Sequence, residues 1–86
     1  MTLLHLLREV AKEEGYKLNV LNNGAIIVIK DGVAILQIAV VRDAYYFRYL
    51  NDNGAYIIYK INREILKKIL ERKPEEVGAI KLADIQ

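Results

Sequence analysis

Residues 33–41 read VAILQIAVV, Val33 to Val41, nine residues in which Gln37 is the one polar member. A strand with one wet face alternates polar and apolar side chains. This one hardly alternates, so it reads as a central strand covered on both faces. Turn signals bracket it. Asp31-Gly32 before it is a strong two-residue hairpin turn, and Arg42-Asp43 after it suits a two-residue loop with weaker chemistry. The run is therefore expected at the centre of an antiparallel sheet.

Working outward, Asn23-Gly24 is a second strong two-residue turn. Asp52-Asn53-Gly54 suits a three-residue loop with Gly54 in the left-handed conformation. Together the turns divide the middle of the chain into expected strands Tyr16–Asn22, Ala25–Lys30, Val33–Val41, Ala44–Asn51 and Ala55–Ile61. Loop length fixes register, and register fixes which side chains share a face. The turns pair Val20 with Ile27, Leu18 with Ile29, Ile27 with Leu36, Ile38 with Phe47, Phe47 with Tyr59 and Tyr49 with Ile57. All of these fall on one face, and that face carries no charge. Their agreement predicts a five-stranded antiparallel meander.

Amphipathic helices flank the meander. Thr2 can cap the first, in which Leu3, Leu6, Leu7 and Val10 form an apolar stripe that Gly15 ends. Asn62 can cap the second, where Ile65, Leu66, Ile69 and Leu70 form the stripe. Glu64 with Lys68, and Lys67 with Glu71, lace its wet side. Lys73-Pro74 ends it. The tail, residues 73–86, reads either as a short helix from Pro74 or as an extended run, AIKLADI. Residues 1–86 are thus expected to form a single α+β domain: helix, meander, helix, with both helices packed on the charge-free face.

At 86 residues the chain is near the size at which one core is only just sufficient, and with no Cys it has neither disulfides nor a thiolate metal site to help. Its hydrophobic content of 53% is high for that size, which points to oligomerisation. A net charge of +2 is too small for a polybasic tail, so the placement of charge matters more than its total. No apolar run approaches a membrane span, and Glu9, Glu13 and Glu14 interrupt any signal-peptide pattern. A soluble cytoplasmic protein that does not engage membranes is expected. Twelve Ile, abundant Lys and Glu and only two Gln lean towards a thermophile, while two heat-fragile Asn-Gly steps argue against one.

The second face of the meander carries the functional question. On it the expected register places Ile26, Val28, Ile35 and Ile58, an apolar set that reads as an oligomer interface. Lys17, Lys30, Gln37, Tyr46, Arg48, Tyr56 and Lys60 share that face, which has no carboxylate although the chain has eleven acids. Tyr46, Arg48, Tyr56 and Lys60, with Lys30 and Gln37 outlying, have the composition of a stacking platform for single-stranded DNA or RNA. Tyrosines would meet bases and the cations phosphates. The competing reading is a homodimeric protein–protein or structural module in which the same Tyr and Arg residues are interface anchors.

Chemistry-bearing clusters are missing. His5 is the lone histidine and has no ligand-spaced partner, Ser does not occur, and Thr2 is the sole Thr. Asp31, Asp43 and Asp52 sit in turns at alternating ends of the meander, where they cannot converge. The expectation is a non-enzymatic module with no catalytic residue, metal or cofactor.

The initial helix followed by GYKLNVLNNGAIIVIKDGVAILQIAVVR, residues 15–42, resembles the opening of the Holliday-junction resolvase nucleases in its helix, hairpin and lysine-containing turn. That resemblance implies a metal-dependent nuclease fold. Where the family needs its metal-binding Asp, however, this chain has Ala25 or Ile26. Where it needs Glu-x-Lys, the chain has Gln37-Ile38-Ala39 or Ile38-Ala39-Val40. Without those acids no hydrolytic metal is held, so the resemblance implies at most an inactive relative.

Overall fold

The computed structural model describes residues 2–52 and 54–84; Asn53 of the expected loop and residues 85 and 86 of the tail lie outside the described residues. Helix α1 (Leu3–Glu14) begins where the Thr2 hydroxyl accepts the His5 N–H at 3.2 Å. It ends at Gly15, whose φ of 82° no β-carbon opposes. Helix α2 (Arg63–Leu70) begins where the Asn62 side chain accepts the Ile65 N–H at 2.9 Å. Between and after the helices lie β1 (Lys17–Val20), β2 (Ile26–Lys30), β3 (Val33–Val41), β4 (Ala44–Tyr49), β5 (Gly54–Ile58) and β6 (Ile80–Asp84). They form one open antiparallel sheet in sequence order. The fold is α+β.

The sheet has six strands, not the five expected. The tail takes both of the forms its sequence allowed. Pro74 opens a 3₁₀ turn, Pro74–Val77, Gly78 turns the chain at φ 77°, and β6 then runs back along β5. Ending the sheet at β5 would leave a full row of its N–H and C=O groups bare. Pairing Ile80 with Ile57 satisfies them.

Three registers depart from expectation. Asn23-Gly24 is not a two-residue turn: Leu21 N–H donates to Ala25 C=O at 2.8 Å, leaving a three-residue loop with Gly24 at φ 89°. That shifts β1 against β2 by one residue, so Leu18 faces Val28 and Val20 faces Ile26. Asp31-Gly32 closes as expected, with Lys30 opposite Val33 and Ile29 opposite Ala34. A bulge then inserts Ile35, so that Val28 meets Leu36 and Ile26 meets Ile38. The two one-residue shifts cancel across β2. Leu18 and Val20 therefore keep their face, and of the first three strands β2 alone is turned over.

Across β3–β4 the expected pairs hold, Leu36 with Tyr49 and Ile38 with Phe47. Across β4–β5 they do not: Phe47 faces Tyr56 and Arg48 faces Ala55. Gly54 is a strand residue rather than the left-handed member of a loop, and a β-carbon there would sit 3.2 Å from the Tyr56 ring. An odd shift of three residues turns β5 over, as the first shift turned β2.

One buried cluster unites Leu3, Leu7 and Val10 of α1 with Leu66, Ile69 and Leu70 of α2 and with Ile26, Val28, Leu36, Ile38, Phe47, Tyr49 and Ile58 of the sheet. The face bearing these strand residues is the core face. On the wet side of the helices, the expected i,i+4 pairs within α2 give way to longer-range ones. Lys67 lies 3.6 Å from Glu13 and Lys68 lies 3.2 Å from Glu76, because the neighbouring elements bring carboxylates closer than α2's own. Glu9 and Glu13 both pair with Arg63, which ties α1 to α2.

Candidate binding face

With β2 and β5 turned over, the outer face is not the one expected. Ile26, Val28 and Ile58, expected as the oligomer interface, are 3%, 0% and 4% exposed and belong to the core. Ile35, the fourth of that set, sits in the bulge and packs half-buried against the core cluster. The apolar patch foreseen from the sequence is thus the inside of the protein.

The aromatic and cationic set divides. Tyr56 lies on the core face, stacked on Phe47 with ring centroids 5.3 Å apart and edge-on to Tyr49. Lys30 turns towards the helices, its Nζ 5.1 Å from the Tyr16 ring, beside Glu14 and Lys67. Lys60 is exposed just beyond the end of β5. Tyr46, Arg48 and Gln37 stay together on the outer face, where Arg48 is cross-strand neighbour to Gln37 and Tyr46 to Ala39.

Around these three the turned strands bring residues that the sequence reading assigned elsewhere or left open. Strand β5 supplies Ala55 and Ile57, and Tyr59, just past its last paired residue, lines a cleft with Ala44 and Tyr46. Strand β6 supplies Ile80 opposite Ile57, and Leu82 at a second bulge. Ile80 and Leu82 are 55% and 51% exposed. Two concavities result. One, about 140 Å³, is a mainly apolar groove lined by Gln37, Ala39, Tyr46, Arg48, Ala55 and Leu82, with Phe47 and Tyr56 at its base. The other, about 410 Å³, is a cleft at the β3–β4 turn lined by Val41, Arg42, Asp43, Ala44, Tyr46 and Tyr59.

The salt bridges concentrate on the two helices and the segment after α2. Arg63, Lys67, Lys68, Arg72 and Lys73 are each held in a salt bridge. Among the described residues Arg8 and Lys12 of α1, together with Lys17, Lys30, Arg42, Arg48 and Lys60, have no such partner. One titrating group on the core face is strongly shifted. Burial, reinforced by the neighbouring Tyr56, pushes the Tyr49 hydroxyl well above the ordinary tyrosine range, and that hydroxyl donates to the Ile69 carbonyl at 2.5 Å. Tyr49 is therefore a clasp between sheet and helix rather than a reactive group. His5 contacts Glu9 one turn along α1 at 3.2 Å, and among the described residues no three His, Asp or Glu side chains converge. No described helix is long and apolar enough to cross a membrane. No family model, curated protein or solved structure matches the chain, which leaves its own geometry to carry the functional reading.

Proposed function

We propose that the protein is a non-enzymatic binding module that associates with a second copy of itself through the outer face of its sheet, along the groove beside β6. One observation carries this reading: Ile80 and Leu82 stand half exposed side by side with an apolar groove on a face that contributes no residue but Ile35 to the core cluster. The shared cluster supports a placement of both helices on the core face, which leaves the outer face open to a partner. Fully burying an aliphatic side chain is worth roughly 1.5–3 kcal/mol, so each of these two half-exposed residues forgoes about 1 kcal/mol in water. Tyr46 and Arg48, which line the groove, are among the residue types that most often anchor protein interfaces. A second copy fits because the patch is self-complementary in character: apolar, without a carboxylate among its lining residues, and flanked by a terminal strand whose outer edge is unpaired among the described residues.

Sedimentation equilibrium over a range of protein concentrations tests it. A reversible dimer is expected, nearly indifferent to salt because the contact is apolar. Leu82→Lys and Ile80→Lys should each shift the equilibrium to monomer. A strict monomer at every concentration would sink the reading.

A further inference from the structure

We propose that β6 is a strap that opens and closes as a unit on an otherwise folded domain, and that self-association holds it shut. The second half rests on the dimer proposed above. The first half stands on the packing of β6 alone.

The two edge strands of the sheet are anchored differently. On β1, Leu18 packs against the core cluster, and Tyr16 just before the strand does the same. On β6 no described side chain joins that cluster or packs against it. Ile80 and Leu82 are half exposed, and Lys81 between them is exposed. Among the described residues, the last side chains to reach the core are Val77 and Ala79, on either side of Gly78 at φ 77°. The 3₁₀ turn ahead of β6 is fixed independently, by the Ala79 N–H donating to the Pro74 carbonyl at 3.1 Å and by Lys68 pairing with Glu76 at 3.2 Å. The chain is thus tied down as far as Ala79, and beyond it is held mostly by its backbone ladder to β5. A bulge at Leu82 interrupts that ladder. Hydrogen-bonding groups released at a sheet edge are met by water, so the ladder alone gives little net protection.

Opening changes the association surface. Leu82 lines the groove, and Ile80 is the cross-strand neighbour of Ile57, a buried residue of the outer face. When β6 leaves, the groove loses a wall and Ile57 loses its neighbour. The surface offered to a second copy therefore exists only in the closed form. A partner that binds the closed form alone stabilises it, and the apparent affinity falls with the closed fraction. Dimerisation and closure are linked, each favouring the other.

Amide hydrogen exchange of the full chain, read residue by residue by NMR, tests both halves. In dilute protein the amides joining β6 to β5 should exchange ~100-fold or more faster than those joining β3 to β4, and should respond little to urea below the unfolding transition. The amides of β1 should be the better protected of the two edges, although β1 is the shorter strand. Raising the protein concentration until about nine chains in ten are paired should slow β6 exchange about tenfold, because only the unpaired chains open. In Leu82→Lys that concentration dependence should vanish. Amides of β6 as slow as those of β3, or no faster than those of β1, overturn the strap. A dimer whose β6 exchange does not slow on association overturns the lock and leaves the dimer standing. A strict monomer in sedimentation removes dimer and lock together, and the comparison of β6 with β1 still decides the strap.

Discussion

At the scale of single residues, Tyr49 carries the most structural consequence. Its ring is 4% exposed, edge-on to Phe47 and Tyr56, and its hydroxyl is fixed to the Ile69 carbonyl. That carbonyl also accepts the Arg72 N–H at 3.1 Å, so Tyr49→Phe would leave it partnered. The expected cost is therefore about 1 kcal/mol, the net worth of one hydrogen bond, measurable by urea denaturation. The pH dependence has a definite sign. Because burial raises the folded-state pKa, the stability tied to the neutral hydroxyl is fully present below the ordinary tyrosine value and is lost as pH climbs past it. The parent should lose urea resistance as pH rises above about 10, and Tyr49→Phe should lose less of it over the same range. Equal losses in the two proteins would remove Tyr49 from the account.

At the scale of elements, the exit from α2 shows how a strained residue is held. Arg72 has φ 65°, a conformation glycine adopts freely and other residues adopt at ~1–2 kcal/mol. Its guanidinium lies 4.8 Å from the centre of the Tyr49 ring and 3.5 Å from the Asp52 carboxylate. Both contacts are partly exposed and together contribute ~1–2 kcal/mol at most. The terms are of one size, so Arg72→Gly should leave stability almost unchanged. Arg72→Ala loses the contacts and keeps the strain, and should be about 1 kcal/mol less stable than Arg72→Gly. Equal midpoints for the Ala and Gly variants would show that the backbone conformation is not the deciding term.

At the scale of the whole molecule, the two faces of the sheet predict opposite outcomes for one kind of substitution. Val28 is fully buried, and an ammonium there costs several kcal/mol against a total stability of ~5–15. Val28→Lys should abolish the cooperative unfolding transition and the dispersed amide spectrum of a folded domain. Leu82 is half exposed, so Leu82→Lys should keep both, change monomer stability by less than about 0.5 kcal/mol, and lower only association. A folded Val28→Lys monomer would mean that the register drawn here for β2 is wrong.

Much of this architecture is legible from local chemistry. Thr2, Gly15 and Asn62 mark helix ends, Asp31-Gly32 closes its hairpin, and VAILQIAVV runs as the unbroken strand β3 from Val33 to Val41. Those features depend on a few neighbouring residues and are written in them. The facing of β2 and β5 is not. Ile26, Ile27, Val28 and Ile29 offer equal apolar character to both sides, so a shift of one residue costs nothing that the pattern can register. The choice is made elsewhere, by the Ile35 bulge and by which side chains fill the space under Leu7, Val10, Leu66 and Ile69. Strand β6 was open for a similar reason: an extended tail gains its hydrogen bonds only from the edge of β5 that it meets. The candidate site inherits this division. Tyr46, Arg48 and Gln37 lie on strands whose register the turns determine locally and were legible. Ile80 and Leu82 reach the same face only through the packed sheet, because a cross-strand neighbour is a property of pairing and not of sequence.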